Sequence, residues 1–132
     1  MSDRLKKIER VVEVQRHLKR LTEWKLAILR RDEIGLRKAQ EQLIDHLNDQ
    51  SLHHGLFVGS MARRLSRLAQ EEEALRETGK ELKERFVDEA MRLKRTERLA
   101  HNMARDAEAH DERSSLERIV EAGAAKKGES LA

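Results

Sequence analysis

The chain has 132 residues, 40% of them charged and 2% aromatic, with a single tryptophan (Trp24), two phenylalanines (Phe57, Phe86) and no proline, cysteine or tyrosine. A globular core of this length would take more aromatic volume, whereas an Ala, Glu, Lys, Leu and Arg bias with helical spacing is the mark of a coiled coil or long helix. A net charge of +3 is small and its basic doublets are isolated, which counts against a nucleic-acid surface, while the lack of cysteine fits a reducing cytoplasm and leaves no thiol nucleophile.

The first predicted element is a helix over about residues 3–48, which Ser2 can cap. Leu5, Ile8, Val12, then Val14, Leu18, Leu21, Ile28 or Leu29, Leu36, Ala39, Leu43 and Leu47 recur at steps of about three and four, with Asp32 and Gly35 weakening the middle. Without proline, only glycine and the run Asn48–Ser60 interrupt the backbone ladder. That run predicts a turn over about 49–59, with Gly55 suited to a left-handed cap and Ser60 to restarting a helix.

The second helix is expected over about 60–122. Its apolar residues form two interleaved heptad series, Met61, Leu68, Leu75, Leu82, Glu89, Thr96, Met103 and Leu65, Glu72, Gly79, Phe86, Leu93, Ala100, Ala107. Their alternating spacing keeps one narrow seam, with gaps at Glu72, Gly79, Glu89 and Thr96. Glu33 with Arg37, Glu72 with Arg76, Glu81 with Arg85 and Asp88 with Arg92 are acid-before-base pairs on solvated faces, each worth about 0.2–0.5 kcal/mol. Gly123 and Gly128 begin a tail, 123–132, expected to fray. Such spacing argues against disorder, and two amphipathic helices joined by a short turn predict one all-α unit, an antiparallel coiled-coil hairpin. A parallel dimer of one continuous helix is the structural alternative, against which Gly55 and Gly59 count.

Few chemical constellations are present. No phosphate-cradling loop or nucleophile elbow occurs, and His17, His46, His53, His54, His101 and His110 form no metal-ligand spacing, so neither catalysis, metal nor cofactor is expected. The charged N-terminus is followed by no uninterrupted apolar run, so neither a signal peptide nor a membrane span is expected. Leu56, Phe57 and Val58 are consecutive apolar residues at the turn, and such a trio cannot pack wholly inward. It reads either as a docking surface or as local packing that seals the turn.

The Arg4–Ile8 start, the Lys38–Leu43 stretch, a tip, the Leu82–Phe86 stretch and the closing Arg105–Ile119 run together resemble the FliJ family of flagellar type III export proteins, with the injectisome YscO type as sibling. The resemblance covers nearly the whole chain. It implies a non-enzymatic stalk that inserts into the hexameric export ATPase ring and contacts the export-gate membrane protein and substrate chaperones. The positions matching the family's gate-binding patch are Gln40, Ile44 and Leu47 before the turn and Met61, Leu65 and Leu68 after it, with Phe57 added by the apolar tip. Helix termini would enter the ATPase ring, presenting Arg4, Lys6, Lys7 and Arg10 beside the acidic end of the second helix. A cytoplasmic location, peripheral to the inner membrane only through partners and without nucleic acid, follows from the same resemblance. Two other classes remain: a coiled-coil adaptor or chaperone that takes a partner helix at the seam gaps Glu72 and Gly79, and a nucleic-acid-associated helical protein.

Overall fold

The computed structural model describes the backbone of residues 2–49 and 57–131 and the side chains of 3–49 and 57–128. Two helices make up the fold, α1 (Ser2–Asn48) and α2 (Val58–Leu131), and they pack antiparallel as a helical hairpin. Asp3 in the first turn of α1 places a negative charge at the positive end of the helix dipole, and His46 stands in its last turn. At the end of α1 the Asp49 N–H is shared between the carbonyls of Asp45 (3.1 Å) and His46 (3.3 Å), which closes the last turn. In α2 the Met61 N–H donates to the Phe57 carbonyl at 2.9 Å, so the helix begins two residues before Ser60, which lies inside the first turn.

The second helix also runs past its expected end, through Gly123 and Gly128 to Leu131. Each glycine costs a helix only about 1 kcal/mol relative to alanine. Between them stand Ala124, Ala125, Lys126 and Lys127, all good helix formers, and no proline stops the ladder.

The chain divides into two compact units, one formed by His17–Ala90 and the other by Met1–Arg16 with Met91–Ala132. In the first, the covered face of α1 runs through Lys19, Thr22, Leu26, Leu29, Glu33, Leu36, Gln40, Leu43 and Leu47, an unbroken alternation of three and four. Its counterpart on α2 is the predicted set from Met61 to Glu89, every member of which is buried or half-buried. The second unit places Leu5, Ile8, Val12 and Gln15 in its seam, facing Leu93, Thr96, Ala100, Met103 and Ala107. The Gln15 amide oxygen there is buried without a hydrogen-bond donor.

The seam expected for α1 is therefore corrected in its first half. Val14, Leu18 and Leu21 are 58%, 48% and 46% exposed, while Gln15, Lys19 and Thr22 take the covered positions. The physical reason is periodicity: Val12 to Val14 is a step of two, which turns about 200° around a helix and leaves the face that Val12 occupies.

Most gaps in the α2 seam are filled by matching residues of α1. Gln40 donates its side-chain N–H to the Glu72 carboxylate at 2.9 Å. Thr22, with one hydroxyl proton, has the Glu89 carboxylate at 2.7 Å and its own-helix Leu18 carbonyl at 3.1 Å, and donates to the closer acceptor. Gly79 is buried beneath Leu29, whose Cδ2 would stand 3.0 Å from any Cβ at position 79, so the missing side chain is what lets Leu29 bury. Lys19 lays its Nζ 5.7 Å from the centroid of the Phe86 ring, a cation–π distance. Thr96 differs: its hydroxyl donates to the Arg92 carbonyl of its own helix.

Candidate docking surface at the hairpin tip

The tip is built from the last turns of α1 and the first turns of α2, both within the His17–Ala90 unit. Leu43 is buried, and Leu47, Met61, Leu65 and Leu68 are half-buried. These leucines and the methionine follow the seam spacing and belong to the packing of the hairpin on itself. Gln40 lies in the seam as well, held by its bond to Glu72. Of the predicted docking residues, Ile44 (44% exposed) and Phe57 (60% exposed) turn away from the seam, joined by Val58 at 42%. Leu56 and Gly55 lie outside the described residues.

Ile44 near the end of α1 and Phe57 and Val58 at the start of α2 are exposed apolar side chains at the tip, among the exposed polar residues Asp45, His46, Asn48 and Ser60. Exposed apolar side chains of this kind gain free energy by leaving water against another apolar surface. The first turn of α2 contains no acidic side chain.

Arg4, Lys6, Lys7 and Arg10 are all exposed and belong to the other unit. None of them takes part in an ion pair among the described residues, where Arg16 pairs with Glu97 at 3.5 Å and Arg76 reaches Glu73 at 3.4 Å and Glu72 at 3.9 Å. His17, His46, His101 and His110 are exposed, and His53 and His54 lie outside the described residues. Among the described residues no three His, Cys, Asp or Glu side chains converge to hold a metal, and no helix is long and apolar enough to cross a membrane.

The gaps at Glu72 and Gly79, read from the sequence as entry points for a partner helix, are occupied from within by Gln40 and Leu29. What the sequence reading missed is a pair of open grooves beside the seam. One, about 450 Å³, is lined by Ile28, Leu29, Leu75 and Leu82 with Lys25, Asp32, Glu81 and Arg85 at its rim. The next, about 550 Å³, shares Asp32 and Leu75 and adds Leu36 and Ala74. The signal for them was present: Ile28 stands next to Leu29, and only one of two adjacent residues can point into a narrow seam. Comparison of the chain with known protein families, with characterised proteins and with solved structures finds no match.

Proposed function

We propose that this chain is a non-enzymatic coiled-coil stalk of a type III protein export apparatus, cytoplasmic, with its tip docking an export-gate membrane protein and its N-terminal basic residues meeting an export ATPase ring. The reading rests on the resemblance of the sequence to the FliJ family. The observation that supports it most directly is the exposure of Ile44, Phe57 and Val58 at a turn whose seam is already closed by Leu43, Leu47 and Met61. A hairpin that merely sealed its own turn would have no use for a phenylalanine in water. Arg4, Lys6, Lys7 and Arg10 suit a transient or rotating contact, because exposed ion pairs contribute only about 0–1 kcal/mol each.

The test separates docking from folding. Ile44→Asp with Phe57→Ser changes exposed positions, so the melting of the hairpin should stay within about 0.5 kcal/mol of the parent. Binding to the cytoplasmic part of an export gate should fall at least tenfold, and secretion with it. Removal of residues 1–7 should weaken the ATPase contact and leave gate binding intact, since the two surfaces belong to different units. Full gate binding by the well-folded tip variant would refute the tip assignment, and unaltered secretion in a deletion strain would refute the export function.

One observation favours a second reading. The grooves along Ile28, Leu75 and Leu82 have the apolar floor and charged rim that an amphipathic helix of a partner fits, as in a coiled-coil adaptor or chaperone. Ile28→Glu would then abolish binding that the tip variant retains.

A further inference from the structure

We infer that the hairpin carries a cationic helix-binding face around Arg30 and Lys83, and that its occupant is an acidic amphipathic helix of a partner protein. The inference goes beyond the export reading and uses none of the tip residues.

Within the His17–Ala90 unit a cleft of about 310 Å³ runs beside the seam. The buried Leu26 and Leu29 floor it. Its walls carry the exposed cations Arg30 of α1 and Arg76, Lys80 and Lys83 of α2, with Glu33 as the one carboxylate among the lining residues. One residue turns about 100° around a helix, so Ile28 and Arg30 flank Leu29 on opposite sides, and this cleft opens away from the groove beside Ile28.

Most of these cations have no acid to meet within the hairpin. Arg30, Lys80 and Lys83 take part in no ion pair among the described residues, whereas Arg76 reaches Glu72 and Glu73. The neighbours of Lys83 three and four positions away are Gly79, Lys80, Phe86 and Val87, none of them acidic. Across the cleft Lys83 shares its space with Arg30, a like charge. An anion placed between the two removes their repulsion as well as adding its own attraction.

Apolar side chains bracket the cations and give the anion its form. Ile34 stands one turn beyond Arg30 and Val87 one turn beyond Lys83, and they are 54% and 52% exposed. With Gln40 opposite Glu72, Val87 falls level with about residue 25 of α1, so it lies about 14 Å along the axis from Ile34, or roughly two and a half helical turns. A helix laid along the cleft would cover Ile34 and Val87 with apolar side chains and set acids against Arg30, Lys80 and Lys83 between them. The Arg30 guanidinium can hold one such carboxylate through two N–H donors. Nucleic acid fits less well: its phosphates would meet Glu33 in the cleft and Glu72 and Glu73 around Arg76, and no aromatic ring is among the lining residues to stack a base. A protein helix can place a few acids where the cations are.

Fluorescence anisotropy of the full chain with a labelled synthetic helix tests this. The probe carries leucines at helical spacing along one face with glutamates on either side of them, and its control has lysines in place of the glutamates. The parent should bind the glutamate helix at least about tenfold more tightly than the lysine helix at low salt, with the preference shrinking as salt rises. Arg30→Glu with Lys83→Glu should reverse the preference at unchanged helix content, and Ile34→Asp should weaken the glutamate helix. Arg63→Glu with Arg67→Glu, a charge change of equal size elsewhere on α2, should leave binding within about twofold. A glutamate helix that does not bind, equal binding of the two probes, or a preference that survives the Arg30 and Lys83 changes would overturn the proposal. Loss of binding on Ile28→Glu but not on those changes would overturn it by placing the helix in the other groove, and a single-stranded oligonucleotide that competes as well as unlabelled glutamate helix would overturn the choice of occupant.

Discussion

Two glycines in this hairpin should respond oppositely to the same change. Both Gly35 and Gly79 sit inside helices, where alanine is more favourable than glycine by about 1 kcal/mol. At Gly35 a new Cβ would meet nothing within 4 Å, so Gly35→Ala should realise that gain and raise the melting temperature by a few degrees. At Gly79 the Cβ would stand 3.0 Å from Leu29 Cδ2 and 3.9 Å from a Glu33 carboxylate oxygen. Leu29 is buried in the seam, so a shift of a few tenths of an ångström by its side chain or by the helix spacing disturbs packing that the seam already makes. Overpacking of this kind costs about 1–3 kcal/mol, which outweighs the propensity gain and makes Gly79→Ala destabilising by up to about 2 kcal/mol. Urea unfolding followed by circular dichroism at 222 nm reads both midpoints, with unchanged slopes licensing the comparison. Repeating Gly79→Ala in a Leu29→Ala background should turn it stabilising, because the clash is gone. A Gly79→Ala variant that stabilises as much as Gly35→Ala would refute the Leu29–Gly79 packing.

Two further outcomes check the seam. Thr22→Val keeps the shape and removes the hydroxyl held by Glu89 at 2.7 Å, so it should cost about 1–2 kcal/mol, and adding Glu89→Leu should recover that loss because neither polar partner is then left alone. A neutral Thr22→Val would show that the bond does not form in solution. Leu26→Ala should cost about 2–4 kcal/mol and Leu21→Ala under about 1, since the first is buried and the second exposed. Equal melting shifts would return Leu21 to the seam.

The second arm was legible residue by residue because its two heptad series run without a break in spacing from Met61 to Ala107, although Val87, Met91 and Leu99 lie outside them and stay exposed. The first arm was not, because two stripes compete. Val11, Val14, Leu18, Leu21 and Trp24 are as apolar as the true seam, and a hydrophobic count cannot choose between them. What decides is the strict alternation through Gln15, Lys19 and Thr22, together with the α2 residues that need those partners: Glu89 needs a donor, and Phe86 takes a cation. At the tip, periodicity could name the neighbourhood but could not separate Ile44 and Phe57, which face water, from Gln40, Met61 and Leu65, which face the other helix. That distinction depends on how the two helices meet, which neither helix encodes by itself.

The polar layers are what hold the register of the hairpin. No side chain of the described residues is completely buried, so apolar packing alone penalises a slide of one heptad only weakly. Sliding one way would set Glu72 against Leu47 and Glu89 against Leu29, stranding two carboxylates on leucines. Sliding the other way would bring Glu72 onto Glu33, and in either direction Gly79 would leave Leu29. Uncompensated charge in a seam costs several times what a matched hydrogen bond contributes, so Gln40–Glu72 and Thr22–Glu89 discriminate against both slides, as a polar seam position does in coiled coils. Replacing all four with leucine should therefore raise the melting temperature and lose the single register. Spin labels at the exposed positions Arg37 and Glu77 would report it, since one heptad is a shift of about 10 Å along the axis. The parent should show one narrow distance and the all-leucine seam a broadened or second one. A single distance equal to that of the parent would show that the apolar seam alone sets the register and that the polar pairs merely fill it.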